Sequence, residues 1–519
     1  MKKNQYYRKS LFFLLATALL CLSGCDDLDE SVYSAETSDN FYQNEEQVMA
    51  AYVLPYSFMQ THTYQVHFAL QEFSTDEAVV PVRYGYVDQE GAWIRFHRHT
   101  WTSSDFWIRL EWENLFQAIG YCNYFINSIQ DKDLSLMDLP ISKEQMIAEA
   151  KMVRALHYYW ALSDFGNIPI VEEVGEVSPP TQSSAAVFAF IENEIKENLP
   201  LLSEKGDPGW YGHFTQSAAQ ALLAKLYLNA EVFTGQERLE DCITACNAIL
   251  NNENYSLDPE WNDPFVVNNE WSNENIFVVP FDASNAQQFN FAEQNFHENI
   301  LFDKYNVEYF GWHKISTQES FYNLYQPNDQ RINQWEVGEQ TYIDEEGNEQ
   351  PILDWNGEPM IVTPYIDMLI NNEGGEAQGA MNKKYEIEVG GLSSMSNDMA
   401  IFRLADIMLM KAECLMRGNG DAATQEAVDL VNQVRARSFE AGDPDATYTT
   451  ATLTMDELLD ERGRELAYEM HRREDLIRFD KFTEAWWEKE ASEEHRELYP
   501  IPFNVLTANP ALEQNPGYN

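Results

Sequence analysis

The chain has 519 residues, of which 85 are acidic and 34 are basic, so its formal net charge at pH 7 is −51. A field of this sign repels nucleic-acid phosphates and anionic lipid headgroups, which excludes nucleic-acid binding as a function class. The acids are spread through hydrophobic sequence rather than collected in one block, which favours a folded chain over a disordered one. The length suits two ordinary domains or one large domain with insertions.

The first 24 residues have the features of an export signal. Basic residues precede an apolar run that is too short to span a bilayer. The run ends in LSGC at 22–25, which resembles the lipobox of bacterial lipoproteins, where the cysteine sulfur receives diacylglycerol. We therefore expect residues 1–24 to be removed and lipid on Cys25 to be the only membrane contact, with residues 25–44 as a tether. The alternative is an ordinary cleaved signal in which Cys25 stands by chance.

Helical periodicity dominates the first part of the body, about 45–254. The clearest stripe lies at 142–163, where apolar residues recur on one face. It is followed by FGNIP at 165–169, where glycine and proline stop a helix. The other helices predicted in this block span 45 to about 60, 106–127, 185–198, 217–233 and 239–250.

Residues 71–104 interrupt this block with Pro, Gly and many aromatic residues, and they are predicted to form a long loop. Sugar capture needs aromatic faces for the apolar side of the ring and planar polar groups for vicinal hydroxyls. This segment supplies both classes. The candidate ligand-binding residues are Asp76, Arg83, Tyr84, Tyr86, Trp93 and Trp101. For any one of the aromatic residues, ordinary packing in the core is the competing interpretation.

Residues of about 255–400 form an irregular insertion between two helical blocks. They are rich in Asn, Asp, Gly and aromatic residues, with hairpin-like turns at 346–348 and 356–357 and a short helix predicted within 316–325. A stretch this long without strong periodicity is usually functional, so we expect loops and short strands that bind a ligand. The second group of candidate residues is Trp271, Trp312, Tyr322 and Trp335.

Helical periodicity returns at about 400–490. Helices are predicted at 402–417 and 422–437, and a charged helix from Asp456 to about 487, in which acids and bases alternate at three- and four-residue spacing. In both blocks an Ala- and Leu-rich helix meets a second amphipathic helix at close to a tetratricopeptide period. The expected fold is therefore mostly α, with stacked helix pairs that carry the irregular region, in a single body over 45–519.

Catalysis has little support in the sequence. The chain has no phosphate-binding Gly loop, nucleophile elbow or zinc-type His/Cys spacing, and its many acids make carboxylate pairs uninformative. His97 and His99 could face one way, but a third metal ligand is not apparent. We therefore predict no catalytic residue, no cofactor and no metal site. Secretion and exposed aromatic residues would also fit a surface glycosidase or peptidase, which stays an alternative.

Several motifs taken in order resemble the SusD/RagB family of surface nutrient-binding lipoproteins. Besides the lipobox and the Ala-rich helix at 218–228, they are AEAKMVRA at 148–155 with FGNIP at 165–169, RLAD at 403–406, NQVR at 432–435, ERGRELAYE at 461–469, PIP at 500–502 and NPGY at 515–518. They extend over essentially the whole mature chain. The family usually has Gly where Met470 stands and aromatic residues where Arg473 and Glu474 stand.

The resemblance implies a mostly helical fold with tetratricopeptide-like helix pairs and an irregular ligand-binding face that includes the 71–104 stretch. It also implies a protein without catalytic activity that captures oligosaccharide, or peptide in some members. Such a protein forms a lid over a TonB-dependent (SusC-like) transporter of the outer membrane and passes the ligand inward. The acidic residues after Cys25 resemble the signal that sends such lipoproteins to the outer face.

Overall fold

The computed structural model describes residues 42–83, 88–175, 178–370 and 375–518, so Cys25, Tyr84 and Tyr86 lie outside the described residues. One π-helical turn, Thr63–His67, joins the first two α-helices. The α-helices in chain order are α1 Glu45–His62, α2 Phe68–Glu72, α3 Ala92–His97, α4 Phe106–Ile129, α5 Lys143–Phe165, α6 Ser184–Asn198, α7 Gln216–Leu228, α8 Ala230–Thr234, α9 Leu239–Leu250, α10 Phe291–Asn295, α11 Glu298–Tyr305, α12 Glu319–Tyr322, α13 Leu404–Arg417, α14 Gln425–Ala436, α15 Met455–Leu466, α16 Arg472–Arg478 and α17 Phe503–Ala508.

The strands are short and pair in twos within the described part of the chain. They are β1 Ala78–Val79, β2 Asn275–Val279, β3 Ser316–Thr317, β4 Trp335–Glu336, β5 Gly338–Glu339, β6 Thr341–Ile343, β7 Glu349–Pro351, β8 Ile361–Val362, β9 Met381–Asn382 and β10 Met399–Arg403. The antiparallel pairs are β1 with β3, β2 with β10, β4 with β9, β5 with β8 and β6 with β7.

Most helices begin near the predicted residue, because a local side chain satisfies the free backbone N–H groups at the start. Ser142 accepts the N–H of Gln145 at 3.1 Å at the start of α5, and Thr215 and Thr424 cap α7 and α14 in the same way. The stretch predicted as one helix over 217–233 is divided at Asn229 into α7 and α8.

The two helical blocks pack directly against each other. α4 packs on α1 and α5, α5 on α6, and α7 on α9. α9 also packs on α13, which packs on α14 and α15. β2 lies near the start of the irregular segment and β10 at its end. Their pairing brings the end of this segment back beside the helices. One cluster of buried apolar side chains includes Leu156 of α5, Phe289 of the irregular segment and Leu409 of α13. This architecture confirms the mostly helical class.

The charged helix predicted from Asp456 to about 487 is wrong. The chain forms α15, breaks, and resumes as α16, because Tyr468 and Met470 have φ values of +60° and +65°. Their backbone N–H groups are donated to the carboxylates of Glu77 and Glu72, with Met470 N 2.6 Å from Glu72 Oε1. These two carboxylates, from a distant segment, therefore accept the N–H groups that main-chain carbonyl oxygens would accept in a continuous helix. Left-handed backbone favours glycine, so the glycine that the resemblance leads us to expect at the position of Met470 would suit this break.

The loop predicted over 71–104 is correct only in part, since it contains β1 and α3. The predicted turns at 346–348 and 356–357 are present, and Gly347 and Gly357 have φ values of +82° and +83°. The helix predicted within 316–325 is limited to α12. Within the described residues, no helix combines the length and the apolar character needed to cross a membrane.

Candidate ligand-binding cleft

A cleft of about 350 Å³ opens where the segment after β1 meets the segment before β3. The antiparallel pairing of β1 with β3 places residues 80–83 beside residues 312–316. The walls of the cleft are formed by Val80, Pro81, Arg83, Asp88, Gln89, Gln294, Trp312, His313 and Lys314. The fold therefore brings together one residue from each group of sequence candidates, Arg83 and Trp312.

Arg83 forms hydrogen bonds to several segments around the cleft. Its guanidinium donates to the carbonyl of His313 at 2.8 Å, to Oγ of Ser316 at 2.8 Å and to the carbonyl of Gln378 at 2.7 Å. Gly379 permits this close approach, because it has a φ of +90° and a Cβ there would lie 2.5 Å from that of Ser316. The guanidinium thus shapes the cleft by joining segments that are distant in sequence.

Trp312 is 55% exposed and is held by its backbone and its indole nitrogen. The residue forms a β-bridge with His297. Gly311 allows this approach, since a Cβ there would lie 2.5 Å from the carbonyl oxygen of Phe296. The indole Nε1–H donates to Glu293 Oε1 at 2.9 Å. The ring is therefore fixed at the mouth of the cleft before any ligand arrives.

Two further exposed rings belong to this region, and we call Phe310, Trp312 and Trp355 the aromatic rim: Phe310 contacts Trp312, and Trp355 contacts His297, which forms the β-bridge with Trp312. The ring centroids of Phe310 and Trp312 are 5.2 Å apart. The ring of Trp355 lies 5.0 Å from the imidazole of His297, and its indole N–H donates to Glu298 Oε1 at 2.7 Å. Exposed rings with restricted rotation suit the apolar C–H face of a sugar, because little side-chain entropy is lost on contact.

Polar groups also line the cleft, and two of them, Asp88 and Gln89, belong to the turn Asp88–Gly91. Lys314 Nζ is 3.0 Å from Asp88 Oδ2 and lies 4.9 Å from the ring centroid of Trp93. In the same turn Gln89 and Glu90 have φ values of +49° and +54°, a left-handed conformation that costs free energy in non-glycine residues. Such strain tends to be kept at functional sites.

A smaller chamber of about 150 Å³ shares Gln294 and Lys314 with the cleft. Tyr64 and Trp107 line it, and the Tyr64 hydroxyl and the Trp107 indole nitrogen are buried without a hydrogen-bond partner among the described residues. A buried donor without an acceptor costs roughly 1–3 kcal/mol. Hydroxyl groups of water or of a sugar would satisfy both donors.

His313 contributes no charge to the cleft at neutral pH. Burial lowers its pKa well below the usual value, and the neighbouring guanidinium of Arg83 lowers it further. The Nδ1–H of the neutral ring donates to the carbonyl of Glu376 at 2.5 Å. The neutral imidazole therefore joins the segment of His313 to the segment of Glu376 by a hydrogen bond.

Three predicted ligand residues lie in the core instead. Trp93, Trp101 and Trp335 are 2%, 1% and 4% exposed. The ring centroid of Trp93 lies 5.0 Å from that of Phe73 and 4.6 Å from that of Trp107. Burial corrects the expectation of ligand contact for Trp101 and Trp335, because their rings leave almost no surface for a sugar. Trp93 is also buried but lines the smaller chamber, so its contact with a ligand stays a prediction.

The remaining candidates are outside the cleft walls. Asp76 pairs with Arg472 at 2.7 Å and so links the segment before β1 to α16. Tyr322 is half-buried against the core. Trp271 is 53% exposed but does not line the cleft. Sequence reasoning did not select Phe310, Gln294 or Lys314. It noted Trp355 as a loop tryptophan beside the turn at 356–357 but did not include it among the candidates.

Two family models match the chain. The model described as "SusD family" matches residues 273–518, and the model described as "Starch-binding associating with outer membrane" matches residues 26–228. The two matches include most of the first helical block, all of the second and the two segments that form the cleft, and residues 229–272 lie between them. The chain belongs to the SusD family.

Similar proteins extend over nearly the whole chain. Starch-binding protein SusD of Bacteroides thetaiotaomicron is 26% identical over 501 residues, which cover 88% of this chain and 86% of that protein. SusD-like protein P25 of Formosa agariphila is 23% identical over 548 residues, 96% of each chain. Surface glycan-binding protein A from Bacteroides thetaiotaomicron, in complex with laminarihexaose, superposes with a TM-score of 0.68 at 18% identity, over 91% of this chain and 99% of that one. This last likeness shows the fold alone.

Proposed function

We propose that this SusD-family protein binds an oligosaccharide or polysaccharide in the cleft without catalysing a reaction. The observation that carries the proposal is the aromatic rim beside a cleft of about 350 Å³. The rim offers three exposed rings, and two of them are fixed by indole N–H donation to Glu293 and Glu298. A preformed concave site with a few polar groups is typical of ligand binding.

The polar lining supports a sugar more than an apolar ligand. The Lys314–Asp88 pair, the amide of Gln294 and the unpartnered donors of the inner chamber can bond hydroxyl groups at several positions. The relatives add support, since one is named a starch-binding protein and another forms a complex with laminarihexaose.

We further propose that lipid on Cys25 anchors the protein to the outside of the outer membrane, where it delivers the glycan to a TonB-dependent (SusC-like) transporter. The lipobox sequence and the description of the matching family model as associating with the outer membrane support this. An anchor beside the transporter raises the effective concentration of the ligand-loaded protein, so modest affinity suffices. Cys25→Ala should abolish labelling by radioactive palmitate and co-purification with the transporter from membranes.

The binding proposal is tested by calorimetric titration of the purified protein with starch and laminarin oligosaccharides and with plant and microbial glycans. We expect at least one glycan to bind with no release of reducing ends. Trp312→Ala should weaken this binding, whereas Trp271→Ala should not, although the two indoles are similarly exposed. Turnover by the pure protein would refute the non-catalytic role. Peptides rather than sugars in mass spectra of native protein would favour the peptide-binding alternative.

A further inference from the structure

Three titratable side chains meet in the core, outside the cleft walls. They are His67 of the π-helical turn, Glu111 of α4 and Asp164 near the end of α5. His67 Nδ1 lies 2.8 Å from Glu111 Oε1 and 3.9 Å from Asp164 Oδ2, and one ligand atom of each residue lies within 4.8 Å of the others. Both acidic side chains are 0% exposed.

Each carboxylate of this cluster keeps one oxygen without a donor. Glu111 Oε2 and Asp164 Oδ2 have no hydrogen-bond partner among the described residues. Burial raises the pKa of Glu111 to about 8 and that of Asp164 to about 6, and it lowers the pKa of His67 to about 4. Burial therefore disfavours the charged form of each of the three groups.

The hydrogen bonds among the described residues leave one oxygen of Asp164 facing the other two residues of the cluster. When the imidazole carries its hydrogen on Nδ1, that hydrogen serves Glu111 Oε1, and Asp164 Oδ2 at 3.9 Å is beyond hydrogen-bond reach. The other oxygen of Asp164, Oδ1, accepts from Gln71 Nε2 at 2.8 Å and lies 3.5 Å from Arg473 Nη1. These contacts leave Oδ2 for the interior of the cluster, where a single cation could contact all three residues.

We propose that His67, Glu111 and Asp164 bind one divalent transition-metal ion, with Zn²⁺ as its representative. One imidazole nitrogen and two carboxylate oxygens form a donor set that suits Zn²⁺ or Mn²⁺, whereas Ca²⁺ takes oxygen ligands. Ligands about 2.1 Å from a tetrahedral Zn²⁺ lie about 3.4 Å apart, which is between the two distances of 2.8 Å and 3.9 Å from His67 Nδ1 to the carboxylate oxygens. The imidazole then carries its hydrogen on Nε2, and a water molecule fills the fourth position.

The expected consequence is a link between three helical segments. The π-helical turn, α4 and α5 each contribute one ligand, and π-helical turns recur at functional sites. The ion would offset the buried negative charge of both acids. Metal binding should therefore raise the unfolding temperature of the protein.

The test uses protein purified, without chelator, from cells grown with added Zn²⁺, and then dialysed. Metal content by mass spectrometry should be about one Zn²⁺ per chain. Glu111→Gln and Asp164→Asn should lower it at least tenfold, whereas His213→Gln should not. His213 is the matched control, because it pairs with Glu149 at 3.0 Å but has no second carboxylate in such a cluster among the described residues.

X-ray absorption at the zinc edge gives a readout that needs no variant. The expected shell has nitrogen and oxygen at about 2.0–2.1 Å, imidazole scattering and no sulfur. Protein without bound Zn²⁺, undiminished Zn²⁺ in Glu111→Gln, or a sulfur shell from the buried cysteines would each overturn the proposal. An equal rise of the unfolding temperature with Ca²⁺ would do so as well, since the donor set discriminates against it.

Discussion

Removing the ring of Trp312 is the most direct perturbation of the aromatic rim. The side chain is 55% exposed and lies at the mouth of the cleft. A fully covered tryptophan buries roughly 150–250 Å², so a ligand over the exposed half removes about 100 Å² from water. At about 25 cal/mol per Å² this is worth at most about 2.5 kcal/mol, and covering one face only gives about 1 kcal/mol. Trp312→Ala should therefore raise the Kd for the bound glycan roughly 5- to 70-fold.

The loss should be specific to binding. Trp312 contacts Phe310 and Glu293 from an exposed position, so the free energy of unfolding should fall by about 1 kcal/mol or less. Isothermal titration calorimetry gives the Kd and urea unfolding gives the stability. Trp312→Phe should have an intermediate Kd, because a ring is kept and the bond to Glu293 is lost. Unchanged glycan affinity in Trp312→Ala, with affinity lost in Trp271→Ala, would refute the placement of the site.

Three further predictions concern the cleft walls and the buried ion pairs. Arg83→Met should weaken glycan binding about tenfold in calorimetry, because the hydrogen bonds from its guanidinium to Gly375, His313, Ser316 and Gln378 are lost; unchanged affinity would contradict its shaping role. Arg403→Met should lower the free energy of urea unfolding by about 3–5 kcal/mol, since Glu274 and Glu465 lose a buried partner. Burial raises the pKa of Glu465, but Arg437 and Arg403 outweigh it and hold the pKa below the ordinary value of 4.5. This stabilisation is present above pH 4.5 and is lost as the pH falls, so urea unfolding between pH 3 and 6 should be less pH-dependent in Glu465→Gln.

The helical scaffold followed from local sequence. Periodic apolar positions and caps such as Ser142 and Thr215 act within a few residues, so a helix start can be predicted without knowledge of the rest of the chain. The break after α15 could not be predicted in this way. It depends on Glu72 and Glu77, which come from the other end of the chain and accept the N–H groups at the break.

The candidate site also could be predicted from local sequence only in part. The sequence indicated that aromatic residues in irregular segments would include ligand contacts, and it selected both Arg83 and Trp312. It could not separate Trp312 from Trp93, because both stand near glycine in segments without long periodicity, and their exposures of 55% and 2% are set by distant partners. Nor could it indicate the cluster of His67 with Glu111 and Asp164, whose spacing matches no local motif.

The sequence by itself predicted an export signal and determined the family and the order of the helices, because each of these depends on residues that are contiguous in the chain. Only the tertiary structure decided which rings are exposed, which segments form the cleft and where buried carboxylates lack partners. The pairing of β1 with β3 is the clearest case, since it joins two segments more than 200 residues apart. Exposure, pairing and pKa depend on what a side chain finds around it after folding, and residues close in sequence do not specify those neighbours.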